Sequence, residues 1–322
     1  MSQKDNPLGV KYYKDIRPQK VKWLWYPYIP FGKITIIQGD PGEGKSTFAM
    51  NLCSMVTKGT SIPFTTMKMD IGNVIYQNNE DGKGDTIVPR LISCGADLER
   101  IAYIDEGISP VEMGNQALEV AIEETDAKLI ILDPIQAYIG KDADMNRAGD
   151  IRPIMKRLST LAEKKGCAIV LIGHMSKSNG TKGLYRGLGS IDIPAAARSV
   201  LLISRFDKDD LRIMAQVKSN LAPLGESIVF SIDNNSKVTW LHKCKITADQ
   251  VMNDDFSTMT KKTDRAIAII TETLRKGRCL ANDIELLCAD EGISKRTLKT
   301  AKSSLNIKTI KTIDGWVWEL KQ

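Results

Sequence analysis

The chain has 322 residues, 42% apolar and 26% charged, an ordinary globular composition in a chain too long for one small core. No apolar run reaches the ~18 residues of a membrane span, and Met-Ser-Gln-Lys-Asp-Asn at the start lacks the apolar stretch of a secretory leader, so a cytoplasmic protein with no membrane partner is expected. The net charge of +6 is concentrated late: residues 261–322 carry 13 Lys and Arg against 8 Asp and Glu, which directs the search for a polyanionic partner to the tail.

In chain order, residues 34–37 (I-T-I-I) form a short buried-strand pattern. They lead into Gly39-Asp40-Pro41-Gly42-Glu43-Gly44-Lys45-Ser46, a complete G-x-x-x-x-G-K-[ST] phosphate loop. Residues 47–56 resume with Phe48, Leu52 and Met55 at helical spacing. Strand patterns then alternate with helical ones: strand 73–78, helix 86–94, strand 101–104, helix 114–124, strand 128–133, helix 151–165 and strand 168–173. This alternation predicts an α/β fold with a mostly parallel sheet covered on both faces. Segments 199–204, 212–218, 227–232 and 237–241 lack long helices between them and read as a β-rich extension of that sheet. The first domain therefore spans 1–248, with a short extension at 1–22. Residues 249–263 are polar and aperiodic and read as a linker. Residues 264–322 contain helical patterns at 264–275, 281–289 and 294–305, then strands 307–310 and 316–320 around Asp314-Gly315, a hairpin signal. Three helices and a hairpin describe a small winged helix-turn-helix domain.

The phosphate loop states its chemistry. Its glycines let backbone N–H groups approach phosphate oxygens, and the helix start adds the positive end of its dipole. Lys45 is expected on the β- and γ-phosphates of ATP, Ser46 on Mg²⁺, and the loop from Gly39 through Thr47 around the nucleotide. Asp133 ends an apolar strand, where a carboxylate suits a Mg²⁺-associated role; the alternative is a helix N-cap, since Pro134 follows. Glu80 lies at the end of strand 73–78 and is the candidate for polarising the attacking water, with Asp81 its rival. His174 follows A-I-V-L-I-G at the same sheet edge, where an imidazole can sense the γ-phosphate or simply be a satisfied polar residue. Residues 175–189, rich in Gly, Ser and Lys, form a loop long enough to imply function or disorder. Lys177, Lys182 and Arg186 in it suit phosphate contacts on single-stranded DNA. In 294–305, a serine cap and a basic face suit approach to duplex DNA, although many winged helices pack on proteins.

These segments together resemble RecA-fold AAA-family ATPases of the plasmid RepA-type hexameric helicase group. The resemblance runs through G-K-I-T-I-I-Q-G-D-P-G-E-G-K-S-T, N-N-E-D, L-I-I-L-D-P, L-A-E-K-K-G-C-A-I-V-L-I-G-H-M-S-K, Y-R-G-L-G-S-I-D-I-P-A-A-A-R-S-V-L-L-I and V-K-S-N-L-A-P, over about residues 20–240. It implies a RecA-like P-loop core and a homo-oligomeric, hexameric ring with nucleotide between subunits. In it Glu80 matches the catalytic glutamate, Asp133 the Mg²⁺-associated aspartate and His174 the γ-phosphate sensor. Lys218 matches the lysine of a finger supplied by the neighbouring subunit. Where related helicases show K-x-R, this chain has Asn220, which leaves Arg198 or Arg205 to supply a guanidinium. The expectation is a ring-forming, ATP- and Mg²⁺-dependent DNA motor, the replicative helicase of a mobile element. Its alternative is a RecA/RadA-like recombination mediator or regulator that uses ATP as an assembly switch. A third reading, a signalling ATPase acting on proteins, is disfavoured by the basic tail.

Overall fold

The structure, a computed structural model, describes residues 12–175, 190–206, 211–253, 261–275, 277–305, 307–313 and 315–320. A short antiparallel hairpin, β1 (Trp23–Trp25) and β2 (Ile29–Pro30), precedes the main sheet. The chain then runs β3 (Ile34–Gly39), α1 (Lys45–Lys58), β4 (Asn73–Asn78), α2 (Val88–Ser93), β5 (Ile101–Ala102), α3 (Gln116–Thr125), β6 (Ala127–Asp133), α4 (Ala148–Lys165), β7 (Ala168–His174), α5 (Asp192–Ala196) and β8 (Ser199–Arg205). Three further strands follow, β9 (Leu211–Ser219), β10 (Ser227–Ile232) and β11 (Val238–Cys244). The nine main strands form one sheet in the order β11-β10-β9-β8-β3-β7-β6-β4-β5. Strands β8 to β5 in that order are mutually parallel, and β9, β10 and β11 extend the sheet antiparallel.

The apolar runs explain this architecture. Strands buried on both faces need no alternation, and β3, β6 and β7 are almost wholly buried. Side-chain parity still divides the core in two. Ile37, Tyr76, Ile131 and Val170 pack with Phe48 and Leu52 of α1 on one face. Ile36, Ile75, Ile130 and Leu171 pack with α3 and α4 on the other. Aromatic contacts among Trp25, Phe48, Phe230 and Trp240 fasten the antiparallel extension to α1 and to the β1–β2 hairpin.

Several expected boundaries shift. The helix expected over 86–94 opens with a wide π-turn at Lys83–Ile87, and the regular helix is confined to α2. The strand expected over 101–104 is confined to β5, Ile101–Ala102. Helix α4 begins at Ala148 and contains Pro153. Helix α6 (Ala248–Met252) lies where the linker was expected to begin; Thr247 caps it, with Gln250 completing a reciprocal capping box, so a polar, aperiodic stretch still holds one helical turn.

The tail contains α7 (Lys261–Arg275), β12 (Cys279–Leu280), α8 (Ala281–Asp290), α9 (Lys295–Ser304), β13 (Ile307–Thr312) and β14 (Gly315–Leu320). Its sheet order is β12-β14-β13. Ile267, Ile270, Leu274, Ile284, Leu298 and Trp318 form a core made only of tail residues.

Candidate ATPase site

Four strand ends meet at the carboxyl edge of the parallel half of the sheet. Gly39 of β3 pairs with His174 of β7, and Asn78 of β4 pairs with Asp133 of β6. The segments that leave these strands therefore share one crevice, where open α/β sheets bind ligands.

The phosphate loop leaves β3 at Gly39. A Cβ there would lie 2.1 Å from the Ile203 carbonyl oxygen of β8, so the close approach of loop and strand demands glycine. Gly42 and Gly44 are left-handed, at φ +81° and +86°, and α1 starts directly after Gly44. Such a turn into a helix N-terminus is an anion cradle. Lys45 is buried, and its ammonium donates to the carbonyls of Gly39 at 2.9 Å and Asp40 at 2.7 Å. Burial lowers its pKa, opposed by the charges of Asp133, Glu43, Asp40 and Glu80. A triphosphate offers this ammonium stronger, charged acceptors.

Asp133 is buried, which raises its pKa, opposed by hydrogen bonds from Ser46, Tyr76 and Asn78. The Tyr76 hydroxyl donates to Asp133 Oδ2 at 2.9 Å and Asn78 Nδ2 donates to it at 3.4 Å. The short turn that follows, Ile135–Tyr138, has no side-chain cap, so the carboxylate faces Ser46 across the crevice rather than serving as an N-cap. A carboxylate beside a hydroxyl is an oxygen donor set that fits a hard cation such as Mg²⁺.

Asn78 Oδ1 accepts from the backbone N–H groups of Glu80 at 3.0 Å and Asp81 at 2.8 Å. Asp81 then pairs with Arg90 of α2 at 3.2 Å. Its rival Glu80 is turned to the crevice, with its carboxylate 3.9 Å from His174 Nε2. His174 Nδ1 is buried with no hydrogen-bond partner among the described residues. The structure thus brings Lys45, Ser46, Glu80, Asp133 and His174 together.

Lys218 is elsewhere. It lies opposite Val200, near the amino end of β8, and its ammonium donates to the carbonyls of Pro194 at 2.8 Å and Ala195 at 3.0 Å. Burial and the nearby Arg198 lower its pKa. The Asn220 N–H bonds the Arg198 carbonyl at the same end of the sheet. Arg205, by contrast, touches the chain's own phosphate loop, donating to Gly42 O at 3.4 Å, and Arg212 opposite it donates to Glu43 O at 3.1 Å. The loop 175–189 lies outside the described residues apart from Met175, which is buried. Sequence reasoning missed Tyr76, Asn78, Arg90 and Arg212. Period-two spacing along β4 puts Tyr76 and Asn78 on one side, and that signal was available; Arg90 and Arg212 carry no local mark. A cavity of about 780 Å³ beside β5 and α3, with a mixed lining that includes Ile75, Tyr103, Ile108, Val120, Asn115 and Glu124, is separate from this crevice.

A strand–phosphate loop–helix unit with a buried aspartate at the end of β6, the strand beyond β7 in the sheet, defines a P-loop ATPase with a RecA-like core. The chain belongs to the AAA domain family, whose model matches residues 7–180. It is 22% identical over 222 residues to the DNA repair protein RadA of Streptococcus pneumoniae, an alignment covering 68% of this chain and 47% of that protein. It is 24% identical over 264 residues to the RadA of Mycobacterium tuberculosis, covering 80% and 48%. The chain thus spans about half the length of these curated relatives. Among solved structures, an ATPase domain superposes with a TM-score of 0.52 at 13% identity, covering 64% of this chain and 84% of that one. At that identity the likeness establishes the fold.

Proposed function

We propose that this protein is a ring-forming, Mg²⁺-dependent ATPase that works on DNA, with ATP hydrolysed between subunits and its energy used to move along a single strand. The observation that carries the reading is the convergence of Lys45, Ser46, Asp133, Glu80 and His174 on one sheet edge. Lys45 and the loop N–H groups hold the phosphates of ATP and stabilise charge on the departing γ-phosphoryl group. Ser46 and Asp133 hold Mg²⁺, which when bound neutralises charge on the phosphate oxygens. Glu80 accepts a hydrogen bond from the attacking water and orients it in line with the leaving group. His174, within reach of Glu80, registers loss of the γ-phosphate and passes the change into the loop that follows. Lys218 faces away from its own site, as a finger acting on a neighbour's nucleotide must. The DNA assignment draws on the name of the RadA relatives and on the basic tail, read here as a winged helix approaching duplex DNA through residues 294–305, with 175–189 on the single strand.

The test is strand displacement on a forked duplex with ATP and Mg²⁺, run beside ATP turnover. Displacement that disappears in Lys45→Ala supports the motor of a mobile-element replication system. The RadA likeness favours a second reading, a recombination mediator switched by ATP. Turnover stimulated by single strands without displacement selects the mediator. A chain that remains monomeric and ignores Mg²⁺-ATP overturns both.

A further inference from the structure

Residues 294–313 contain six cations and no acidic residue. On α9, Lys295, Lys299 and Lys302 are spaced i, i+4, i+7 and form one stripe. The stripe runs toward the hairpin, where the Lys302 ammonium sits 4.1 Å from the centre of the Trp318 ring. On β14, Trp316 is two residues from Trp318 and therefore leans to the same face. The strand register agrees, pairing Thr309 with Trp318 and Lys311 with Trp316, and the Lys311 ammonium lies 6.0 Å from the Trp316 ring. Lys295, Lys299, Lys302, Trp316 and Lys311 thus follow one another from helix to hairpin on one side of the tail. Glu285 pairs with Lys295 at 3.2 Å at the far end of the stripe.

The two tryptophans differ in a telling way. Trp318 is buried in the tail core, whereas Trp316, two register pairs closer to the turn, is 54% exposed. Ile313 beside the turn is fully exposed as well. An indole held on a rigid hairpin among cations presents a flat face for stacking. Bases inside a duplex offer groove edges and keep their faces stacked on one another, so that flat face fits an unpaired base.

We propose that this side of the tail binds the junction between duplex and single-stranded DNA, with Lys295 and Lys299 on duplex phosphates and Trp316 stacked on the first unpaired base. The inference rests on the DNA reading above and adds to it the structure that the tail selects. In this arrangement the tail places the sheet domain at the point where strands part.

The experiment uses the full chain and two probes of equal duplex length, a blunt duplex and a fork with 2-aminopurine at the first unpaired position. Wild type is expected to bind the fork more tightly and to quench the 2-aminopurine. Trp316→Ala loses the quenching and weakens fork binding about tenfold, while blunt-duplex affinity stays within about twofold. Trp316→Phe, which keeps a stacking face, restores most of both effects. Lys299→Ala weakens both probes alike and reduces the salt slope of log K by about one. In Trp316→Ala, equal losses on both probes or undiminished quenching overturn the junction assignment and leave the DNA reading standing. If wild type binds neither probe at low salt, the DNA reading itself fails and takes the junction with it.

Discussion

Asn78 ties the Glu80 loop to Asp133: its amide nitrogen donates to the Asp133 carboxylate at 3.4 Å while its amide oxygen accepts from the N–H groups of Glu80 and Asp81. One side chain thus fixes the distance between the two carboxylates assigned to metal and water. Asn78→Ala frees the loop without touching the phosphate cradle. The expected result is nucleotide affinity within about threefold of wild type and kcat reduced by one to two orders of magnitude, the cost of small misplacement at a reacting centre. Asn78→Ser keeps an acceptor for the loop N–H groups and loses the link to Asp133, so its kcat should fall between the two. Single-turnover kinetics beside equilibrium nucleotide binding checks both.

Gly39 has no room for a side chain, because the Ile203 carbonyl occupies the Cβ position. Gly39→Ala must push β8 and the phosphate loop apart, an overpacking that costs about 1–3 kcal/mol. Thermal unfolding should show a lower Tm, and added Mg²⁺-ATP should no longer raise it. Lys45→Ala should leave Tm near wild type while abolishing hydrolysis. The two variants separate the shape of the cradle from its charge.

Lys218 is held by the carbonyls at the end of α5, at the opposite end of its strands from its own phosphate loop. If it serves a neighbour's nucleotide, Lys218→Ala and Lys45→Ala are each inactive alone and complement when mixed. Random equimolar assembly pairs an intact loop with an intact finger at about one interface in four, so about a quarter of wild-type turnover should return. Mixed samples that stay inactive place Lys218 in a structural role. Arg205, bonded to its own Gly42 carbonyl, then becomes the cation to test in the same subunit.

Much of the sheet and most of the crevice were legible because their signals are local. The phosphate loop fixes its own conformation through glycines, and the apolar runs ending in Asp133 and His174 mark the sheet edge without reference to partners. The residues of the turn alone leave Asp81 as a rival to Glu80, because the structural feature that separates them is Arg90, nine residues away across a π-turn that propensity does not encode. Arg205 was read only as a guanidinium for the nucleotide; its contact with the Gly42 carbonyl depends on the antiparallel return of β9 beside β8, which carries Arg212 to the same loop. Helix α6 has no periodic signature in the sequence because one capped turn is too short to show a period.

The tail has a core of its own, and Trp318, with Ile307 and Leu320 beside it, joins its helices to its hairpin and is covered by Lys302 from α9. Removing it tests whether residues 264–322 form a separate domain. Trp318→Ala should cost the tail about 3–5 kcal/mol, enough to unfold a small domain by itself. Hydrogen exchange should then lose protection from α7 through β14 while β3, β6 and β7 stay protected, since the crevice draws no residue from the tail. ATP turnover without DNA should stay within about twofold of wild type, and DNA affinity should collapse to its salt-sensitive remainder in the sheet domain. Loss of protection spreading into the main sheet would mean that the two cores unfold as one and that the domain boundary is wrong.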